Sequence, residues 1–203
     1  MMRRWLMIAL GVMMTMSAQA TDPKSLPREG EAVLILGGGC FWCLEAVYEE
    51  LRGVREAESG YAGGHVDNPS YRQVTTGKTG HAEVVAVYYD PKVLSIDQLM
   101  DVFFAIHDPT TPDRQGHDVG PQYRSIAFYQ SAEEKAAIEA AVERAAAKWP
   151  NPIVTQVEPI SAFYPAEDYH QQYFELNGEQ PYCSLVIAPK IAKFRKEFGP
   201  LRK

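Results

Sequence analysis

A continuous apolar run, Ala32-Val33-Leu34-Ile35-Leu36, is broken by Gly37-Gly38-Gly39 and followed at once by apolar residues at helical spacing: Phe41, Leu44, Val47, Tyr48 and Leu51. A run of that length flanked by glycine predicts a central strand buried on both faces. The period then changes from two to 3.6 within four residues. The chain must therefore turn tightly from a buried strand into a helix, and glycines permit that turn. Whatever occupies the turn sits at the helix mouth, and here it is Cys40.

The rest of the pattern extends this start. Gly53 stops the helix and Val54–Ser59 alternates as a strand. The stretch 60–80 is rich in Gly, Asn, Pro and Thr and predicts a long loop. A strand follows over 81–89, ended by Asp90-Pro91. Ser95 with Gln98 three residues on predicts a capping box, opening a helix to Ile106. A second polar loop spans 108–122, a strand 123–129, and a helix capped by Ser131 and Glu134 reaches Lys148. A short strand at 153–157, helical segments at 166–176 and 189–198, and a tail complete the order. Strand-helix-strand-strand-helix-strand predicts an α+β fold: a ferredoxin-like split βαβ sheet with extra helices and a C-terminal tail. There is no internal repeat and no second core, so residues 31–203 are expected to form one domain.

The first twenty residues differ in kind. Met1-Met2-Arg3-Arg4 is basic, 5–16 is apolar but short for a bilayer span, and Ser17-Ala18-Gln19-Ala20 ends in Ala-x-Ala. That is the form of a cleaved signal peptide, with 21–30 as a linker behind it. An uncleaved anchor is the competing reading. Export to the periplasm or medium is expected, where disulfides persist. The net charge of −6 argues against nucleic acid, because phosphate binding needs a basic surface.

Three cysteines are too few for a disulfide scaffold. Cys40 at a helix N-terminus has free amides and the positive dipole end beside it, which favour a thiolate and a nucleophile. Cys43 lies on the same helical face. A C-x-x-C pair there fits a thioredoxin-like dithiol, a soft-metal carrier, or a nucleophile with a second thiol nearby. A folded interaction domain is the non-catalytic alternative. Cys183 lies far along the chain in a turn-like segment, Gln180-Pro181-Tyr182-Cys183, expected to be mobile. No His, Cys or carboxylate spacing marks a metal site.

Gly39-Cys40-Phe41-Trp42 resembles the signature of the A-type peptide methionine sulfoxide reductases, which act on the S epimer. The similarity continues through Gly60-Tyr61-Ala62-Gly63-Gly64, Asn68-Pro69-Ser70-Tyr71-Arg72 and Thr79-Gly80-His81-Ala82-Glu83. It runs on through His107-Asp108-Pro109-Thr110, the stretch 114–125 that holds Asp118 and Tyr123, and 164–171. It covers about 33–187. The resemblance implies that Cys40 attacks the sulfoxide and that Glu83 donates a proton to its oxygen. It implies that Tyr71 and Tyr123 hold that oxygen, that Asp118 orients the site, and that Phe41 and Trp42 line a pocket for the S-methyl group. His81, His107, His117 and His170 are assigned no chemistry.

Attack leaves a sulfenic acid on Cys40, which a second thiol condenses to a disulfide. The resemblance points to Cys183 as that resolver. Cys43 is nearer by sequence and stands where the family's commonest pattern has Gly, so both stay open. A dithiol protein such as thioredoxin would regenerate the enzyme, with no organic cofactor. Oxidised proteins and peptides are the implied substrates, and a monomer is expected.

Overall fold

The structure is a computed structural model and describes residues 27–203. The expected signal peptide at 1–20, and the linker up to 26, lie outside the described residues. In chain order the elements are β1 (Ala32–Gly38), α1 (Phe41–Tyr48), β2 (Val54–Ala62), α2 (Tyr71–Val74), β3 (Ala82–Tyr89), α3 (Ile96–Ile106), β4 (Arg114–Gln115) and β5 (Asp118–Val119). They continue as β6 (Ser125–Tyr129), α4 (Ala132–Ala146), β7 (Gln156–Pro159), β8 (Phe163–Pro165), α5 (Tyr173–Asn177) and α6 (Ala188–Glu197). A single π-helical turn, Cys183–Ile187, runs into α6.

This is a mixed α+β fold. Six strands form one sheet in the order β7-β6-β1-β3-β2-β8, and β4–β5 is a separate small hairpin. The pairings are antiparallel except β6 with β7. All eight residues of β3 are buried, because both faces of the sheet are covered. The two-residue period divides them. Val85, Val87 and Tyr89 join Leu34 and Leu36 under α1, α3, α4 and α6. Val84, Ala86 and Tyr88 join Val33, Ile35, Ile126, Phe128 and Phe163 on the opposite face. Glu83 falls in the first set, so its carboxyl points toward α1.

Several expected boundaries move. The loop expected over 60–80 gives its first three residues to β2, and Ser70 with Gln73 forms a capping box that opens α2. The polar loop 108–122 contains the β4–β5 hairpin. Tyr123 sits in a 3₁₀ turn, Pro121–Tyr123, rather than in a strand, since Pro121 cannot donate to a ladder. The strand expected at 153–157 forms at 156–159, and β8 joins the edge beside β2. The expected helix over 166–176 is split into a 3₁₀ turn at Asp168–His170 and α5 by Gln172, which holds a left-handed conformation. The segment around Cys183 is helical rather than a turn, with Cys183 and Ile187 buried and Ser184 and Leu185 exposed. Cys183, Ile187, Ile191 and Phe194 share one buried face and pack into the core.

Candidate active site

The site is built around the β1–α1 turn. Gly39 holds φ +94°, a conformation that side chains avoid, and a Cβ there would lie 2.6 Å from the Gln115 side chain. Gln115 is fixed in turn by accepting from the Asp108 N–H and donating to the Asp108 carbonyl, both at 3.1 Å. Gly37 is needed for a different reason: a Cβ would meet the Glu83 carbonyl oxygen at 2.9 Å. The glycines thus let β1, β3 and the β4–β5 hairpin close around Cys40, which is the N-cap of α1.

Glu83 meets the helix mouth directly. The Phe41 N–H, the first of α1, donates to Glu83 Oε2 at 3.2 Å. Burial raises the Glu83 carboxyl to about 8, with a further upward push from the charges of Asp118 and Cys43, against the Phe41 hydrogen bond. The group is therefore protonated at neutral pH and is a proton donor held beside the cysteine.

Cys40 departs from what its position predicts. Helix-end electrostatics contribute about 0.3–1 kcal/mol, up to about 2 where partly buried. Full burial moves a titrating group by up to about 3–5 pKa units, or roughly 4–7 kcal/mol. Burial wins: the free-enzyme thiol is pushed well up, first by desolvation and then by Cys43 and Glu83, while the Tyr182 hydroxyl works the other way. Cys43 carries the lower value, about 7. It accepts from Cys40, and the Lys190 ammonium favours its charge against burial and Asp118. Of the two thiols, Cys43 is thus the more readily ionised.

Four further groups converge on these. Burial pushes the Tyr71 hydroxyl up to about 12, with the charges of Glu83 and Cys40 adding to it. Tyr123 is shifted upward by burial and then by Glu83 and Tyr71. Both tyrosines stay protonated donors. Asp118 accepts from the Tyr182 hydroxyl at 2.7 Å, which ties the β4–β5 hairpin to the residue before Cys183. The Tyr71 N–H and the Tyr61 hydroxyl both donate to Glu167, at 2.9 Å each, fixing α2 against β2.

An aromatic cluster flanks the cysteine. Phe41 is buried and lies 6.5 Å from Tyr71 and 5.0 Å from His170, centroid to centroid. Trp42 is half-buried, donates from Nε1 to His170 Nδ1 at 3.2 Å, and stacks on Tyr173 at 3.6 Å with 6° between the planes. Cys183 is fully buried, and its thiol is raised by burial and by the charge of nearby Cys43. The structure thus brings Cys40, Cys43, Glu83, Tyr71, Tyr123, Asp118, Phe41 and Trp42 together, with Cys183 behind Cys43. Sequence reading missed Tyr182, Glu167, Tyr173 and Lys190. Only Glu167 lies in a stretch that carried a resemblance, and the other three are recruited by packing. Among the described residues no group of three or more His, Cys, Asp or Glu is arranged to hold a metal ion. His107 bonds to the Phe103 carbonyl and Ser125 in the core.

A buried acid, two tyrosine hydroxyls and a pair of hydrogen-bonded thiols at a helix mouth define a thiol-based reductase acting on a small polar S–O or comparable group. Residues 32–201 match the family model described as Peptide methionine sulfoxide reductase. The chain is 55% identical over 165 residues to the peptide methionine sulfoxide reductase MsrA of Paenarthrobacter aurescens (strain TC1), covering 81% of this chain and 95% of that protein. It is 54% identical over 171 residues to an MsrA of Thermus thermophilus, covering 84% and 97%. The solved structure of reduced Mxr1 from Saccharomyces cerevisiae superposes with a TM-score of 0.71 at 39% identity, over 76% of this chain and 90% of that one. Methionine sulfoxide reductase A of Corynebacterium diphtheriae gives 0.67 at 35%, over 74% and 76%. The chain belongs to the peptide methionine sulfoxide reductase family and is an enzyme that reduces methionine sulfoxide with thiol chemistry.

Proposed function

We propose that Cys40 attacks the sulfur of methionine S-sulfoxide, free or within oxidised proteins, while Glu83 protonates the departing oxygen. The observation that carries this is the buried Glu83 carboxyl, hydrogen-bonded to the Phe41 amide next to Cys40, a burial that raises it to about 8. Oxygen passes from substrate to Cys40, giving methionine and a Cys40 sulfenic acid. The proton Glu83 delivers is balanced by the one the Cys40 thiol loses. Tyr71 and Tyr123 donate to the oxygen as charge grows on it. Asp118 orients the site through Tyr182. Phe41 and Trp42 enclose the methyl group, where sulfur–aromatic contact is favourable.

Cys43 then condenses with the sulfenic acid, and Cys183 is the second acceptor, by exchange with that disulfide. Three observations support this order. Cys40 already donates to Cys43. Among the described residues no carboxylate pairs with Lys190, which leaves its ammonium to favour the Cys43 thiolate. Cys183 feels Cys43 and is fully buried. Mxr1 has been solved in complex with Trx2, and on that ground a thioredoxin-type dithiol protein is our choice of reductant. One equivalent of substrate followed by peptide mapping tests the order: a 40–43 disulfide is expected first, and a 40–183 disulfide as the first product would reverse it.

We also read β6-β1-β3-β2 with α1 and α3 as a ferredoxin-like split βαβ unit, supported by strand order and by the antiparallel pairings. Residues 31–203 are read as one catalytic domain, monomeric, exported behind a leader cleaved after Ala20. Amino-terminal sequencing of the protein from the periplasm or medium tests that cleavage; a start at Met1 would remove it.

A further inference from the structure

Glu45 lies on α1, three residues after Trp42, and is 2% exposed. It takes no part in the chemistry above. Its carboxyl is aimed at the backbone of the C-terminal segment. The Gln172 N–H donates to Oε1 at 2.9 Å and the Tyr173 N–H to Oε2 at 3.2 Å. These are the amides at the start of α5, which have no acceptor within their own helix. Gln172 sits at φ +52°, ψ +32°, a conformation that a non-glycine residue keeps only where its surroundings hold it. The adjoining Gln171 side chain is bonded both ways to the Ser59 backbone of β2. The chain is thus pinned on both sides of the kink, and the residue just past it, Tyr173, is the one stacked on Trp42.

We propose that Glu45 is a positioning residue for substrate binding: by holding the two amides it fixes the kink at Gln172 and so sets the Tyr173 ring on Trp42. The inference rests on the reading of Trp42 as a wall of the methyl pocket. Residues 3 apart on a helix share a face, so α1 supplies both the wall and the group that docks its backing. Burial raises this carboxyl to about 7, while the Gln172 and Tyr173 amides favour its ionised form. Each oxygen accepts one N–H, whereas a glutamine presents one acceptor and one NH₂ that opposes the second amide.

The test is a KM-against-kcat split. Glu45→Gln and Tyr173→Leu should each raise KM for methionine sulfoxide by about tenfold and leave the saturating single-turnover rate within about twofold, the pattern of lost positioning rather than lost chemistry. The double variant should be no worse than the poorer single, because both act through one stack. Amide exchange at Gln172 and Tyr173 should quicken in Glu45→Gln. An unchanged KM in Glu45→Gln, or additive KM effects in the double variant, overturns the proposal. Trp42→Leu separates it from the reading beneath it. If Trp42→Leu raises KM and Glu45→Gln does not, the positioning role alone fails. If Trp42→Leu leaves KM unchanged, the pocket reading fails and takes the proposal with it. Should Glu45→Gln not fold, Tyr173→Leu carries the test, and a fall in its single-turnover rate without a KM change counts against the role.

Discussion

The β1–α1 turn and the segment 166–187 supply opposite halves of the same site by opposite means. At the turn, the backbone is dictated locally: three glycines, a strand period before them and a helix period after. In 166–187 the backbone is dictated from outside. Its kink at Gln172 is held by Glu45, its 3₁₀ turn packs His170 against Phe41 and Tyr71, and its π turn is anchored in the core by Cys183 and Ile187. Cys40, the proposed nucleophile, stands on the part that local sequence fixes, and Cys183, the proposed second acceptor, on the part that tertiary contacts fix.

The largest expected effect is at the turn itself. Cys40→Ser should reduce methionine formation in a single turnover to background, because a serine hydroxyl is a far weaker nucleophile at neutral pH. Residual turnover above background would move the nucleophile elsewhere. Glu83→Gln should slow the sulfoxide step by about 10²–10⁴-fold, the usual contribution of a general acid. The parent's first step should also fall as pH rises through about 8, where Glu83 loses its proton, and this limb should vanish in Glu83→Gln.

The same substitution should stabilise the fold. Glu83 titrates at an ordinary 4.5 when exposed and at about 8 when folded. Between those values the unfolded chain releases the proton and the folded one keeps it. Stability is full below about pH 4.5 and declines until about pH 8. At pH 7 the deficit is about 3 kcal/mol, and Glu83→Gln should recover much of it. Denaturation at pH 4.5 and 7 checks the sign: the gain should be large at pH 7 and small at pH 4.5.

A smaller effect separates the two distal thiols. Cys43→Ser should release methionine at the parent's first-step rate but accumulate a sulfenic acid that a dimedone probe captures. Cys183→Ser should still lose two thiols per sulfoxide, with turnover on a dithiol protein cut by less than in Cys43→Ser. Equal sulfenic acid trapping in both variants would contradict the assigned order. The smallest effect is at the kink. Gln172→Gly relieves a left-handed non-glycine residue, worth about 1–2 kcal/mol, and loses about 0.5–1 kcal/mol to glycine's freedom when unfolded. A net gain of about 0.5 kcal/mol is expected by thermal melting. A loss above about 1 kcal/mol would mean that the kink is not strained.

The contrast also explains what could be read from the chain. The β1–α1 junction, the Ser95–Gln98 capping box and β3 follow from periodicity and capping, which are local. Glu83 facing α1 follows from the two-residue period once Val85 and Val87 are known to be core. Cys40's high thiol value did not follow, since the helix-mouth argument sees the dipole and not the burial. Nor did Gln172, because glutamine carries no local preference for a left-handed turn. The burial of Cys183 was hidden for a similar reason: Gly178 and Pro181 signal a turn, and only the packing of α6 on α1 turns the next residues into helix.

The π turn at Cys183–Ile187 has a consequence for sequence length. A π turn spends one residue more than an α turn on nearly the same rotation and rise. Deleting a single residue between 184 and 187 would therefore let the turn close as ordinary α-helix, with α6 seated and Cys183 still facing the core. The same deletion inside α6, where no spare residue exists, would turn everything before it by about 100° and carry Cys183 out of the core. The π turn is thus the one place in this segment where the chain can lose a residue and keep its third thiol in position.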